Sequence, residues 1–260
     1  MKVAGKVVAV TGAGGGIGEG LARRFAAEGA AKVVVSDLDP ARCERVAAEI
    51  GGLAFPCDVS DPARLEALVE FAEDQAGPVG LWCSNAGVGW ADPVLGQVAS
   101  SPDAAWQKGW EINVMAHVRA ARLLAPKMAA RGGGWFLHTV SAAGLLSQID
   151  GAVYATTKHA AIGFAEALAI THRDDGIRVS VLCPQGVDTE MLRGLEGGAQ
   201  GVDGVLTPEA VAQSVIEGLE AESFLILPHA QVRDYMANKA ASYDRWLAGM
   251  AKLRRKINGG

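Results

Sequence analysis

Between Thr11 and Phe25 the chain reads TGAGGGIGEGLARRF, directly after the apolar run KVVAV at residues 6–10. A β-branched run that stops at a glycine cluster and resumes as an amphipathic helix is a strand–turn–helix unit. Gly12, Gly16 and Gly18 fall in the turn, with Ile17 between the last two. Without side chains there, the backbone turns tightly and its N–H groups can reach a pyrophosphate at the helix N-terminus. A phosphate loop of the triphosphatase type would need Lys-Ser or Lys-Thr after the glycines, and Glu19 stands after Gly18 instead. A glycine run can also be an ordinary flexible turn, so the rest of the chain has to decide.

Six more strand-like runs follow: KVVVS, LAFPC, GLWCS, WFLHTV, IRVSVLC and SFLILP, each bounded by Gly, Pro, Asp or Ser. Helical segments are expected over Ile17–Glu28, Pro40–Ile50, Asp61–Gln75, Ala104–Arg131, Ala152–Arg173 and Pro208–Glu220. Asp61 before Pro62 and Thr207 before Pro208 are N-cap and first-position pairs. Strands apolar on both faces, alternating with helices, predict an α/β doubly wound Rossmann fold. Its seven-stranded, mainly parallel sheet would carry helices on both faces. No repeat or composition shift divides the 260 residues. A single domain is expected, with a C-terminal helical tail and, over about 190–206, a glycine-rich polar stretch that reads either as a lid or as a plain surface loop.

A formal net charge of -5 gives no global basic field, so nucleic acid is not indicated as a partner. The basic cluster KLRRK near the C-terminus reads as a solvated helix face. No stretch reaches about 18 uncharged apolar residues, so no membrane span is expected. The opening MKVAGKVVAV has neither a long apolar region nor a cleavage site. Cys43, Cys57, Cys83 and Cys183 form no CxxC pair and read as reduced core residues. Together these point to a cytoplasmic protein with no metal.

Asp37 ends the second strand, 19 residues past Gly18, close to the spacing at which an acid grips adenosine ribose hydroxyls. A carboxylate there accepts those hydroxyls from NAD and repels the extra phosphate of NADP. No cation interrupts Ala13–Gly15, Leu38 follows the acid, and Arg42 is the nearest reserve. NAD is therefore expected in preference to NADP. The other reading of Asp37 is a strand-end turn residue.

Farther on, YATTK places Tyr154 and Lys158 four residues apart in a helical run, one turn from each other on one face. Taken alone, such a pair is more often a tyrosine at the core edge with a lysine at the rim. In this order, however, the motifs resemble those of the short-chain dehydrogenase/reductase family over nearly the whole chain. TGAGGGIG is similar to its TGxxxGIG turn, CDVS around Asp58 and Val59 to its adenine-side loop, and SNAG (Asn85, Ala86, Gly87) to its NNAG motif. TVSAAG supplies Ser141, YATTK matches YxxxK, and Asn113 in EINVMA falls on the helix of the family's catalytic Asn. The resemblance implies a catalytic tetrad of Asn113, Ser141, Tyr154 and Lys158. It also implies cofactor contacts at Pro184, Val187 and Thr189 and through Tyr154 and Lys158. Two departures stand out: Gln185 replaces the usual Gly after Pro184, which could shift the loop beside nicotinamide, and Ser84 replaces the first Asn of NNAG.

The implied chemistry is electrostatic. A free tyrosine, with a pKa near 10, is too weak a base at neutral pH. A unit cation about 4 Å away at an effective dielectric near 20 contributes roughly 4 kcal/mol, about three pKa units, and Lys158 is the expected source. Tyr154 would exchange a proton with a secondary alcohol or ketone, Ser141 would orient the oxygen, and Asn113 would hold a water linking Lys158 to solvent. Ala142, Ala143, Leu145, Leu146, Trp90 and Met191 predict a largely apolar substrate. Alanine-rich helices around Ala116–Ala129 and Ala155–Ala169 point to a dimer or tetramer, although packing within one subunit gives similar sequences. The stripe Tyr243, Trp246, Leu247, Met250 and Ile257 is expected to dock on a neighbouring subunit, with pocket lining and core closure as the other readings. A catalytically silent NAD-binding regulator and a Rossmann epimerase or dehydratase are the competing functions. The first has little reason to keep four tetrad residues, and the second normally has a longer C-terminal region.

Overall fold

The computed structural model describes residues 1–193 and 201–259. Its strands are β1 (Val7–Thr11), β2 (Lys32–Ser36), β3 (Leu53–Ala54), β4 (Val79–Ser84), β5 (Gly134–Thr139), β6 (Ile177–Leu182) and β7 (Leu225–Ile226). The helices are α1 (Gly16–Ala27), α2 (Pro40–Ile50), α3 (Pro62–Ala76), α4 (Asp103–Trp110), α5 (Ala116–Ala130), α6 (Ala143–Leu146), α7 (Ala152–Thr171), α8 (Glu190–Arg193), α9 (Pro208–Glu220), α10 (Gln231–Ala241) and α11 (Tyr243–Ile257). All strand pairs are parallel, in the order β3-β2-β1-β4-β5-β6-β7.

Alternation within each apolar run divides the side chains between two faces of the sheet. Val8 and Val10 of β1 pack with Leu21 and Phe25 of α1, Val46 of α2 and Val211 of α9. Val7 and Ala9 join Leu68 of α3, Leu124 of α5 and Ala161 of α7 on the other face. Both faces are thus buried, which is why the runs are apolar throughout. The helix starts follow their caps: the Asp61 carboxylate accepts from the Ala63 and Arg64 N–H groups, and the Thr207 hydroxyl from that of Ala210.

Two expectations are corrected. LAFPC and SFLILP reach strand geometry over only two residues each, because both form sheet edges with one neighbour and both run into a proline that cannot donate to a ladder. The helix expected over Ala104–Arg131 begins at Asp103, ends at Ala130, and is interrupted by a wide π turn over Glu111–Met115. Of the alanines in α5 and α7, Ala116, Ala120, Ala121, Ala125, Ala161 and Ala165 are buried in the single chain, which fits the packing-within-one-subunit reading of these helices without bearing on assembly. The four cysteines are free and buried, as expected of core residues.

One feature of this core could not be read from the sequence pattern. His117 of α5 and His138 of β5 stack with ring centroids 4.8 Å apart and planes 12° from parallel. Both are fully buried, and none of the four ring nitrogens has a hydrogen-bond partner among the described residues. Burial holds His138 down to about 3 and His117 well below the ordinary histidine range, with His138 and Lys158 adding to the effect on His117. Each imidazole is neutral when folded and gains a proton on unfolding below about pH 6.5. The unfolded chain then binds more protons, so stability is full above about pH 6.5 and falls as the pH drops toward about 3. Urea unfolding at pH 7 and pH 5 should show a stability loss about 3 kcal/mol smaller in His117→Leu/His138→Phe than in the parent chain. An equal loss in both proteins would assign acid sensitivity to other groups.

Candidate active site

The strand order reverses between β1 and β4, and the glycine turn after β1 opens into the crevice created there. A side-chain junction fixes this point. The Asn85 amide donates to the carbonyls of Thr11 (3.0 Å) and Gly12 (3.1 Å), while the Thr11 hydroxyl accepts from the Asn85 and Ala86 N–H groups (3.0 and 3.1 Å). Gly18 lies so close that a Cβ on it would fall 2.1 Å from the Gly12 carbonyl oxygen. Gly16 takes a left-handed φ of 52°, and a Cβ there would meet the Thr189 methyl at 2.9 Å.

The junction opens onto a cleft of about 1950 Å³, lined at this end by Gly12, Gly16, Ile17, Asp37, Asn85, Ala86 and Gly87. Helix α1 has Gly15 as its N-cap and no side-chain cap, so its first N–H groups are left for a ligand. A glycine cradle with uncapped helix donors fits a dinucleotide pyrophosphate. Asp37 stands beside it, accepting from Gly14 N–H at 2.8 Å and Asp39 N–H at 3.1 Å. The nearby cations are committed to acids. Arg42 pairs with Glu190 (2.8 Å) and Asp39 (3.4 Å), and Arg45, which sequence reading passed over, pairs with Glu19 (2.9 Å) and Glu49 (3.2 Å).

At the other end, Ser141, Tyr154 and Lys158 line the same cleft, with Pro184, Val187 and Thr189 opposite. Ser141 stands within hydrogen-bonding reach of the Tyr154 phenol, and its hydroxyl donates to the Pro184 carbonyl at 3.4 Å and accepts from Ala143 N–H at 3.1 Å. Lys158 is buried; its Nζ donates to the Thr139 carbonyl at 3.2 Å and lies 5.5 Å from the Tyr154 ring centroid. The electrostatics differ from the expectation of a lysine-stabilised phenolate. Burial raises the Tyr154 pKa above its ordinary value, the Ser141 bond opposes this, and the ammonium over the ring face does not reverse it. Burial also pushes Lys158 down to about 8. Desolvation dominates both groups because the chain alone offers neither one a close counter-charge.

Asn113 sits on the π turn and spends its amide structurally. Its Oδ1 accepts from Val88 N–H (3.0 Å), and its Nδ2 donates to the Val88 carbonyl (2.9 Å) and the Thr157 hydroxyl (3.0 Å). The extra residue of a π turn re-aims side chains, and here it turns Asn113 onto the loop after β4. Gly87 lies between it and the lysine, since a Cβ there would be 3.3 Å from both Asn113 Oδ1 and Lys158 Nζ. Asp58 and Val59 are not among the cleft-lining residues; the Asp58 carboxylate accepts from the Ser60 N–H and hydroxyl at 2.9 and 2.7 Å. Gln185 keeps a negative φ, so the missing glycine causes no strain, and its N–H donates to His229 Nδ1 at 3.1 Å. Ser84 accepts from the Trp82 indole at 3.0 Å.

The substrate end is roofed by the C-terminal helices. Trp246, Met250 and Ile257 line the cleft, whereas Tyr243 and Leu247 face outward, so most of the stripe expected to dock on another subunit lines the pocket. Trp246 packs with Ala142, Leu146 and Val232 beneath it. The Arg254 guanidinium and the Asn258 amide both donate to Asp150 (2.7 and 2.9 Å), clamping α11 to the residue just before the tyrosine helix. A histidine or aspartate lying between motifs gave no sequence signal for His229 or Asp150. Of the lid or surface loop expected at 190–206, residues 194–200 lie outside the described part; Val187 pairs with Leu206 beside it.

A glycine-turn dinucleotide cradle facing a serine–tyrosine–lysine group defines a Rossmann-type oxidoreductase. Comparison with known proteins agrees. The family model described as short chain dehydrogenase matches residues 6–199. The chain is 37% identical over 236 residues to a 1-deoxy-11-beta-hydroxypentalenate dehydrogenase of Streptomyces exfoliatus, covering 88% of this chain and 84% of that protein. It is 34% identical over 214 residues to the 7alpha-hydroxysteroid dehydrogenase of Escherichia coli K12, covering 80% and 78%. Among solved structures, a short-chain dehydrogenase/reductase from Burkholderia phymatum in complex with NAD superposes with a TM-score of 0.85, at 26% identity and 94% and 96% coverage. A 7alpha-hydroxysteroid dehydrogenase complexed with NADH and 7-oxo glycochenodeoxycholic acid gives 0.78, at 30% identity and 87% and 93% coverage. The chain belongs to the short-chain dehydrogenase/reductase family, a family of oxidoreductases.

The depressed lysine has a consequence for stability. Its pKa falls from 10.5 unfolded to about 8 folded, so burying the ammonium destabilises the fold at neutral pH by about 3 kcal/mol. Between about pH 8 and 10.5 the unfolded chain binds more protons, and stability from this group rises with pH. Lys158→Met should therefore be about 1–3 kcal/mol more stable than the parent at pH 7. Chemical denaturation repeated at pH 9.5 should show that advantage shrinking. A variant less stable at pH 7 would mean the ammonium supports the fold.

Proposed function

We propose that the protein is an NAD-dependent oxidoreductase that moves a hydride between a bulky, largely apolar secondary alcohol and the corresponding ketone, with Tyr154 as general acid/base. The observation that carries this reading is that Tyr154, Lys158 and Ser141 open into the same cleft as the uncapped N-terminus of α1. The names of two relatives, a 1-deoxy-11-beta-hydroxypentalenate dehydrogenase and a 7alpha-hydroxysteroid dehydrogenase, support the reading of a hydroxyl-bearing substrate.

When bound, a nicotinamide dinucleotide supplies the hydride acceptor or donor. The turn from Gly12 to Gly18 would hold its pyrophosphate, Asp37 its adenosine ribose, and Lys158 its second ribose, while Pro184, Val187 and Thr189 would border the nicotinamide. Tyr154 takes the proton from the substrate hydroxyl in oxidation and returns it to the carbonyl oxygen in reduction. Ser141 orients that oxygen through the hydroxyl it shares with the phenol. Asn113 acts through Val88 and Thr157, fixing the loop that faces the lysine and offering a water site beside Gly87. Because burial raises the phenol, its ionised form needs a cation closer than the chain alone provides, and alcohol oxidation should accelerate as pH rises above neutrality.

Preference for NAD over NADP is supported by Asp37 and by the carboxylates that neutralise Arg42 and Arg45. Assembly into a dimer or tetramer is supported by Ile170 of α7, which is 79% exposed, and by half-buried Phe164 on the same helix.

With NAD and a panel of bulky secondary alcohols, followed by absorbance of the reduced cofactor, Tyr154→Phe should lower kcat about 10³-fold and leave the NAD Kd within about threefold. Turnover that survives the substitution would remove Tyr154 from proton transfer. Under the same assay kcat/KM for NAD should exceed that for NADP at least about tenfold, since the 2'-phosphate would meet a carboxylate; equal values would defeat the cofactor assignment. Light scattering at micromolar concentration should give at least a dimeric mass, and a monomer would count against assembly.

A further inference from the structure

The cationic side chains of the cleft are unequally matched with anions. Arg23 pairs with Glu19, Arg42 with Glu190, Arg45 with Glu19 and Arg193 with Asp188, each within 3.0 Å. Lys158 is tied to the Thr139 carbonyl and belongs to the reaction site. Arg245 is the exception: it lines the cleft, is exposed, and has neither an ion pair nor a hydrogen bond among the described residues. A guanidinium cannot shed its charge at any ordinary pH. The acids of the cleft do not answer it. Asp150 is held by Arg254 and Asn258 and Asp188 by Arg193; Asp203 accepts from the Tyr235 phenol at 3.1 Å through Oδ1 while its Oδ2 has no partner among the described residues, and neither it nor Glu209 pairs with Arg245.

Its position decides what it could serve. Arg245 precedes Trp246 on α11, and Trp246 packs over Ala142 and Leu146, the segment that follows Ser141. The wall that continues along α11 toward Met250, Leu253 and Ile257 is apolar, and Asn238 and Ser242 line the same cleft as the arginine. A large apolar body lying along that wall would bring a group attached to it to a planar five-donor fork. Fork geometry favours a carboxylate, which it holds by two parallel hydrogen bonds.

We propose that Arg245 anchors a carboxylate on the substrate, so that the alcohol oxidised at Tyr154 is a bulky apolar hydroxy acid whose acid group lies apart from the carbinol carbon. This rests on the alcohol–ketone reading above. It assigns the roof helix a selective role, with the charge fixing which end of the molecule faces the tyrosine.

Binding that needs no turnover tests it first. Calorimetric titration of the NAD-saturated enzyme with adamantane-1-carboxylate should give a Kd at least about tenfold below that for adamantane-1-carboxamide. The difference should vanish in Arg245→Ala and be partly kept in Arg245→Lys, which retains charge without the fork. Equal affinities in the parent enzyme, a preference that persists in Arg245→Ala, or no measurable binding of either compound would overturn the proposal. A second arm compares a hydroxylated steroid carboxylic acid with its methyl ester as substrates. The preference for the acid in kcat/KM should fall about tenfold in Arg245→Ala, and the loss should reside in KM. Should no alcohol of any kind be oxidised while the calorimetric difference holds, the redox reading fails and the anion site stands. Turnover of acid and ester with equal kcat/KM in the parent would do the reverse.

Discussion

The contact between the ends of β1 and β4 is the constraint on which the rest of the structure depends. Asn85 bonds the two carbonyls at the close of β1, Thr11 returns two bonds to the start of the loop after β4, and Gly18 lets α1 approach to van der Waals limits over the Gly12 carbonyl. These groups would otherwise be unpaired polar atoms at a buried strand end, where each costs about 1–3 kcal/mol. Satisfying them fixes the angle between helix and sheet. It also fixes where the cleft opens and where the uncapped donors of α1 point.

From that junction the site is assembled by helices on one face of the sheet. The π turn directs Asn113 onto Val88 and Thr157, and Thr157 lies one residue before Lys158 on α7. The loop after β4, the long interrupted helix and the tyrosine helix are thereby bonded through one amide. Moving any of the three would move Gly87, which separates Asn113 from the lysine. The desolvation that weakens the charges of Tyr154 and Lys158 follows from this close packing. The same packing lets a nearby charge act strongly, because few waters remain to screen it.

The C-terminal helices complete the opposite wall over a small core in which Val232 of α10 meets Ala142 and Leu146. Helix α11 has no buried residue, and it is held by the Asp150 clamp and by the seat of Trp246 over α6. Helices secured at a few points belong to the less stable part of a fold. A cleft roofed in this way can admit a large apolar molecule without disturbing the sheet, and the clamp places the roof beside the start of the tyrosine helix.

The sequence by itself determined the elements whose signals are local. Gly12, Gly16 and Gly18 after a β-branched run fixed the strand–turn–helix unit, caps at Asp61 and Thr207 fixed helix starts, and the four-residue spacing of Tyr154 and Lys158 fixed their common face. Each of these follows from backbone geometry within a few residues. The edge positions of β3 and β7, the bonds of Asn113 on the π turn to Val88 and Thr157, the stacked His117–His138 pair and the Asp150 clamp join residues far apart in the chain, so no local period announces them. The same holds for the ionisation of Tyr154 and Lys158: spacing puts a phenol and an ammonium side by side, but only tertiary burial decides that desolvation outweighs their attraction. A pKa depends on how much water the whole fold excludes, a quantity no single segment contains.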